Sequence, residues 1–533
     1  MADSNKLTKL IHTTFNIYGL KITRKLSVVV AKHLQNNTDL NPEIWLTKII
    51  EQILGQNLPG ANVDLDNIKL ALKECFKPES TLKETESVLN VIDIFTVPKV
   101  VYDTNKKKYT IQRMDNNLFS EAVDKSFVFK ERLDLLWYRT QRHASFAPAK
   151  FGKTESNKLQ LVPIEFLLSQ AKTKDVCIMG LLSQITEGQY YLEDYTGSIK
   201  IDLKDAFFSS SLIMEGSIVL AKGRYVEGIL QVDNIDFPPP DSVENSRVNF
   251  GDSNTFGGSH PTSLKLSEKL KAYEEANKDN FIIVISEFWV DSEIVLSKFK
   301  VLLSGFSESP PTAIVLCGHF LSFSMTVTSV KKLKEGFKRL AAIIAEFPVI
   351  QKNTSLILVP GPYDLSAPNI LPRAPLPKYV LEDLLKILPN TYLATNPCRL
   401  QYCTKEIVIF RENMLSKLCR NTLHYPKKEE DEASENRGEK IYEAFAKSII
   451  RQSHLTPLLF SMIPVYWKHD QALHLYPTPD LIIVADDFQP YATSYANCKV
   501  INPGPFSKSN FAFKCYNPAD NIVEDCEIPA DDG

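Results

Sequence analysis

The stretch TSLILVPGPYDLS, Thr354 to Ser366, decides how the chain is read. Its first half is a short apolar run and its second a turn-rich polar loop. That change is the one expected between a buried parallel strand and the loop at its C-terminal end, where open α/β sheets hold their ligands. Two similar transitions precede it, FIIVIS ending at Ser286 and TAIVLCG ending at Gly318. Between them lie the helix-like segments DSEIVLSKFKVLLSGF and SVKKLKEGFKRLAAIIAEF. In the second segment Leu333, Phe337, Leu340 and Ile344 form the apolar stripe, which makes Lys331, Lys332, Lys334, Lys338 and Arg339 its solvated face. Strand, helix, strand, helix, strand is the pattern of an α/β domain.

Beyond this stretch, RLQYC, EIVIF, LHLY, DLIIVAD, VINPG and FAFKCY are strand-like with few helices between them. They predict a second sheet stacked on the first, so residues 263–533 are expected to form a two-sheet α/β sandwich. KKEEDEASENRGEK, 427–440, has Ala433 as its one apolar residue and reads as a disordered surface insertion.

Upstream, the period changes. DVCIMGLLSQIT, QYYLED, GSIKIDL, GSIVLAKGRYV and GILQVDNID are five strand-like runs within 159–237, the size of a small closed barrel of the OB type. Tyr190 and Tyr191 with Lys200, Lys204 and Lys222 are its candidate single-strand-binding face. Glu193, Asp194 and Asp202 interrupt that face and favour protein docking instead. The segment 238–262 is polar and turn-rich and reads as a connector; its glycines are followed by no Walker lysine. Residues 77–158 read as a linker with a hairpin, KVVYDTNKKKYTIQRM, and a helix, KSFVFKERLDLLWYRTQRH. Residues 1–76 read as four short helices, with Thr23 able to cap the second, Asn41-Pro42 opening the third, Gly55 ending it, and Asp64 or Asp66 opening the last. The fold class expected is therefore multidomain α/β: helical domain, OB-type barrel and two-sheet sandwich.

A length of 533 residues calls for several such units, and 44% hydrophobic content is that of a globular chain. The net charge of −3 gives no global attraction to nucleic acid or anionic membrane. Nine cysteines with no CxxC pair fit neither a disulfide framework nor a zinc module, and the closest pair, Cys398 and Cys403, reads as free thiols. No run approaches the length of a membrane span, and MADSNKLTKL lacks a signal-peptide core. No nucleophile elbow, zinc helix or dinucleotide fingerprint occurs.

An α/β sandwich with polar loops after its strands could carry two-metal phosphoester hydrolysis. It needs two cations about 3.5–4 Å apart, held by several Asp, His and Asn side chains. Where that chemistry uses Asp-x-His, the chain has Ser286, Glu287 and Phe288; where it uses Gly-Asp, the chain has Gly318-His319. Where it uses Gly-Asn-His-Asp, Pro362 and Tyr363 stand in the middle positions and Asp364 follows. The late Gly-His-x-His position reads Ala485-Asp486-Asp487-Phe488, and His454 in QSHLTPLLF is the other surviving ligand type. Ser286, Phe288, Gly318, His319, Pro362, Tyr363, Asp364, His454 and Asp486 are thus expected to mark a degenerate site without catalytic residues, metal or cofactor. The plainer readings are a hydrogen-bonded loop histidine for His319 and a turn or cap for Asp364. A rebuilt site would have to use Glu287, Asp291, His319, Asp364, Asp486 and Asp487. Phe488 and Tyr491 read as aromatics near the domain seam, as partner anchors or as internal packing.

In order along the chain, FNIYGL, VIDIFTVPKVVYDTNKKKY, YYLEDYTGSIKIDL, VPGPYDLS, SHLTPL, YPTPDLIIVADDFQPY, INPGPF and FAFKCYNP resemble the noncatalytic second subunits of replicative DNA polymerases, in the epsilon branch. The resemblance covers nearly the whole chain. It implies a noncatalytic subunit in the nucleus whose barrel and inactive calcineurin-like phosphoesterase domain hold the C-terminal region of the catalytic subunit. It also implies an N-terminal unit, similar to the lid of AAA+ ATPases, that contacts the replicative helicase through GINS within CMG, and small histone-fold subunits in the same complex. DNA is then contacted mainly indirectly. The alternatives are an active metal-dependent phosphoesterase or nuclease, and a single-stranded-DNA-binding OB protein.

Overall fold

The computed structural model describes residues 2–35, 42–54, 56, 61–75, 87–103, 108–112, 117–146, 159–209, 211–324, 326, 329–365, 369–425 and 440–529. The chain divides into two units, Met1–Glu86 and Ser87–Gly533. In the first, helices Ala2–Ile17, Arg24–Gln35, Pro42–Leu54 and Leu65–Cys75 bury Ile11, Phe15, Val30, Leu46, Ile49, Ile53, Ile68 and Ala71 together. The Thr23 carbonyl accepts from Leu26 and Ser27 at the start of the second helix. The last helix starts after Asp64, whose carbonyl accepts from Ile68. Gly55 and the span 427–439 lie outside the described residues.

The second unit holds the barrel and the sandwich. The first sandwich sheet runs, by strand, Thr391–Leu393, Ser355–Val359, Ala313–Cys317, Ile282–Ile285, Ala512–Asn517 and Ile522–Glu527. The second runs Leu89–Ile92, Cys398–Tyr402, Lys405–Phe410, Leu481–Val484, Cys498–Asn502 and Tyr491–Tyr495. Each central strand is apolar on both faces because it is covered on both. Ile282, Val284, Val315, Cys317, Ile357 and Val359 point at Ile407, Ile409, Leu481 and Ile483 of the other sheet. The alternate residues Ile283, Ile285, Ile314, Leu316, Leu356 and Leu358 meet the helices Glu293–Gly305 and Ser329–Ala345 outside.

Two strand readings are corrected. FAFKCY belongs to the first sheet, pairing antiparallel with Ile282–Ile285 in the register Ile282↔Tyr516. Phe513 and Cys515 face the helices and Tyr516 faces the other sheet; an alternating strand satisfies either sheet edge, so periodicity does not choose. LHLY, Leu473 to Tyr476, is not a strand: it begins in the last residue of a 3₁₀ turn, Trp467–Leu473, and has a single bridge from His474 to His454. Pro477 and Pro479 prevent a longer ladder.

The barrel is built from Lys172–Thr186, Gln189–Glu193, Ser198–Asp202, Phe207–Phe208, Ile218–Val226 and Ile229–Asp236, closed by parallel pairing of Ser198–Asp202 with Ile229–Asp236. Its core is continuous with the outer face of the second sheet: Ile178, Leu192 and Val219 share one cluster with Val408, Phe410, Ile482 and Phe445. Helix Ile441–Gln452 makes the joint. Gln452 accepts from Ile218 N–H (3.0 Å) and donates to its carbonyl (2.7 Å), the exchange a paired strand would make, and Ser448 Oγ accepts from Leu212 N–H (2.8 Å). From the other side, Arg139 of helix Ala122–Arg142 bonds Ser453 Oγ and the Arg451 carbonyl.

The turn-rich segment 238–262 also packs. Phe237, Val243, Phe250 and Phe256 are buried, and Arg247 donates to the Thr478 carbonyl (2.6 Å) and pairs with Glu406. Val243 opens the short helix Val243–Arg247, and the wide spacing of Val243, Phe250 and Phe256 gives too few apolar positions for a period to be read.

Gly223 sits at a bulge where the strands Ile218–Val226 and Ile229–Asp236 pass so closely that a Cβ would lie 2.0 Å from the Gln231 carbonyl oxygen. Gly223→Val is expected to destabilise the second unit by on the order of 2–3 kcal/mol, read as a lower midpoint in urea unfolding followed by tryptophan fluorescence.

Candidate functional site at the strand ends

The loops at the C-terminal ends of strands Ile282–Ile285, Ala313–Cys317, Lys405–Phe410 and Leu481–Val484 converge on one side chain that the sequence reading did not single out, Arg411. It is fully buried. Its Nε–H donates to the Gly318 carbonyl; Nη1 donates to Asn413 Oδ1 (2.7 Å) and the Ala485 carbonyl (2.9 Å). Nη2 donates to Glu287 Oε1 (2.7 Å) and faces His319 Nδ1 at 3.5 Å. A guanidinium has five N–H donors in a fixed fork, and here four of them have oxygen acceptors. The available signal was position: Arg411 follows EIVIF as Ser286, Gly318 and Pro360 follow their own strands.

Glu287, buried and in a left-handed backbone conformation (φ 52°), also accepts from Lys508 (3.3 Å) and lies 3.3 Å from His319 Nδ1. Burial opposes its charge, but the bond to His319 and the charges of Arg411 and Lys508 outweigh it and bring the carboxyl down to about 2. Asp364 is buried with both oxygens taken by backbone, Oδ1 by Phe320 N–H (2.8 Å) and Oδ2 by Gly361 N–H (2.7 Å). Burial lifts its carboxyl above the ordinary range against the pull of those bonds. The fit is close: a Cβ on Gly318 would lie 1.7 Å from Asp364 Oδ2, and one on Gly361 would lie 2.9 Å from the His319 ring. Asp364 therefore ties the loop after Ser355–Val359 to the loop after Ala313–Cys317.

Around this centre the other expected positions are distributed. Ser286 is buried with its hydroxyl unpaired, and Phe288 packs edge-on against Phe299 in the helix-side core. His319 lies against Tyr363, ring centroids 4.8 Å apart; Tyr363 is exposed and Pro362 half-buried. Ser366 lies outside the described residues. Asp486 accepts from Leu415 N–H (2.9 Å) and Phe488 N–H (3.2 Å), so it serves the start of helix Met414–Asn421 from a distant strand end. Burial lifts its carboxyl to about 7, with the neighbouring Asp487 adding to the rise and the Leu415 bond opposing it. Asp291 is taken up by Ser322, which bonds it through N–H (3.0 Å) and hydroxyl (2.7 Å). Tyr491 is buried and stacked on Tyr442 (4.9 Å, 2° between planes), and Phe488 packs on the shared core, so both are internal.

His454 belongs to a different group. Its ligand-type atoms and those of Asp470 and His474 lie within 4.8 Å of one another. Its Nδ1 accepts from Thr456 N–H (3.0 Å) and its Nε2 faces Asp470 Oδ1 at 3.4 Å. Asp470 is paired with the buried Arg132 (Nε to Oδ2, 3.0 Å), and burial together with Arg132 pushes His454 down to about 3, so its imidazole is neutral. Among the described residues no hydrogen bond or ion pair joins this group to Arg411, Glu287, His319 or Asp364.

On the barrel, Tyr190 and Tyr191 point to opposite faces. Tyr190 sits opposite Ile201 and packs on the core, whereas Tyr191 sits opposite Lys200. Asp194 is occupied by the N–H groups of Ile164, Thr196 and Gly197.

Because the Glu287 carboxyl lies lower in the folded chain than its unfolded value near 4.3, the stability it adds is complete above about pH 4.5 and fades as pH falls towards 2. Glu287→Gln is expected to cost on the order of 3 kcal/mol at pH 7, with the gap to the parent narrowing below about pH 4. Urea unfolding of both chains between pH 3 and pH 7 reads this directly.

Comparisons with known proteins cover the same architecture. Residues 282–493 match the B-subunit family of DNA polymerases alpha and epsilon. Residues 122–239 match the DNA polymerase epsilon subunit 2-like OB-fold domain, and 3–75 match the DNA polymerases epsilon N terminal family. The chain is 38% identical to DNA polymerase epsilon subunit 2 of Homo sapiens over 524 residues, 97% of each chain. It is 38% identical to that of Drosophila melanogaster over 528 residues, 98% of each. With the corresponding DNA polymerase epsilon B-subunit of Arabidopsis thaliana it shares 32% identity over 477 residues, 87% of this chain and 88% of that one. Three matches in chain order and near full-length relatives above 30% identity place this chain in the DNA polymerase epsilon subunit 2 family, accessory subunits of a replicative DNA polymerase.

Proposed function

We propose that the chain acts without catalysis of its own, holding the C-terminal region of the epsilon catalytic subunit on the barrel and sandwich. The helical residues 1–76 connect the polymerase to the GINS/CMG helicase. The assembly works in the nucleus beside the small histone-fold subunits, and DNA meets this chain mainly through its partners. The observation that carries the noncatalytic reading is Arg411: a buried cation bonds its own loop and the loops after three other strands where two-metal chemistry would need dications. The carboxylates there already accept from protein donors, so the residues present do not fit a metal pair. A metal-dependent phosphoesterase or nuclease is disfavoured for that reason, and single-strand binding by the opposed faces of Tyr190 and Tyr191, which offer no common stacking platform.

Three measurements test this reading. Co-expression with the C-terminal region of the epsilon catalytic subunit is expected to give one stoichiometric peak in gel filtration; separate elution of the two chains would remove the scaffold role. The purified chain with Mn²⁺ is expected to leave phosphodiesters intact. Tyr190→Ala is expected to cost about 3 kcal/mol of stability through lost core packing, with no loss of salt-sensitive single-strand binding; a parent chain that binds single strands and a variant that does not would favour the barrel as a DNA site.

A further inference from the structure

The acceptors gathered by Arg411 have a chemical character of their own. They are the Gly318 and Ala485 carbonyls, the amide oxygen of Asn413 and one carboxylate oxygen of Glu287, with the imidazole of His319 beside them at 3.5 Å. Main-chain, amide and carboxylate oxygens are the donors that hard dications take, and a single imidazole is tolerated by Mn²⁺. They come from the loops after four different strands, so the strands and not the arginine set their spacing. An ordinary ion pair would engage one or two N–H groups; this set surrounds the whole cation, and Asp364 and Asp486 both feel its charge.

We propose that these strand ends form a cation cage whose resident cation is the chain's own Arg411, and that emptying it by Arg411→Ala turns it into a binding site for one hydrated divalent metal. A dication that keeps part of its water shell fills the space of a guanidinium, with water spanning to the cage oxygens. Arg411 is then a positioning residue that holds the strand-end loops together without metal. The inference stands apart from the scaffold reading, since it concerns what fills the cage and not what docks on the protein.

The test uses the full chain as parent, Arg411→Ala and the double variant R411A/E287Q, each in EDTA and in millimolar Mn²⁺. Thermal unfolding and the electron paramagnetic resonance of bound Mn²⁺ are read. The parent is expected to show no Mn²⁺ effect. In EDTA, Arg411→Ala should melt about 5–10 °C lower; Mn²⁺ should restore at least half of that loss with one ion bound per chain, and the double variant should lose the restoration. If Arg411→Ala accumulates in cells only when the medium carries Mn²⁺, that is the same rescue. Accumulation in neither medium, a single variant indifferent to Mn²⁺, equal rescue of the double variant, or a parent chain that binds Mn²⁺ equally would each overturn the proposal.

Discussion

A buried guanidinium is costly unless its charge is paired and most of its donors are matched, because an uncompensated charge in the interior costs several kcal/mol. Arg411 meets that condition with acceptors from loops that are distant in sequence, between Glu287 and Ala485. The constraint runs in both directions. The loops need the cation to offset two carbonyls and a carboxylate that the strands gather into one small volume, and the arginine needs those loops to be where the parallel strands deliver them. Gly318 and Gly361 follow from the same crowding, since neither position has room for a side chain beside Asp364 and His319. The strand ends are accordingly a structural knot, with Asp364 fastening two of its loops through backbone N–H groups.

A second set of buried arginines works at the seam between barrel and sandwich. Arg139 and Arg451 bond main-chain carbonyls on both sides of it, and Arg132 pairs with Asp470 to join the long helix to the sandwich. With Gln452 imitating a strand neighbour on the barrel, these contacts specify direction as well as affinity. Hydrophobic packing alone would let the barrel slide on the outer face of the sheet; directional bonds to fixed carbonyls do not.

The α/β order, the barrel strands and the helices of the first unit were legible because each depends on local periodicity and turn residues. FIIVIS, TAIVLCG and TSLILV each announce a covered strand, and Gly-containing turns separate most of the barrel runs. What was not legible depends on partners far along the chain. The sheet to which Ala512–Asn517 belongs is set by an edge left open at Ile282–Ile285. The turn around Asp470 is set by Arg132 and His474, and the burial of Phe250 and Phe256 by Tyr109, Tyr476 and Arg399. At the strand ends, the expected positions were scanned for metal ligands, and a cation supplied by the chain itself has no ligand signature. Arg411 looked like any charged residue following a strand, and only the convergence of the loops reveals its partners. Tyr191 and Tyr190 show the same limit on a smaller scale: adjacency in sequence is opposition in a strand.

The strand Leu89–Ile92 pairs with Cys398–Tyr402, about 300 residues further on, and Ala512–Asn517 completes the first sheet beside Ile282–Ile285. A ribosome therefore releases an early edge strand long before its neighbour exists, and the sheet that opens at Ile282 stays unfinished until Ala512–Asn517 has been made, more than 200 residues later. Contacts of such long range are formed late and slowly, and bare strand edges invite association while they wait. The topology of this protein thus makes its maturation an event that follows synthesis, and a truncated product would expose two unfinished sheets at once.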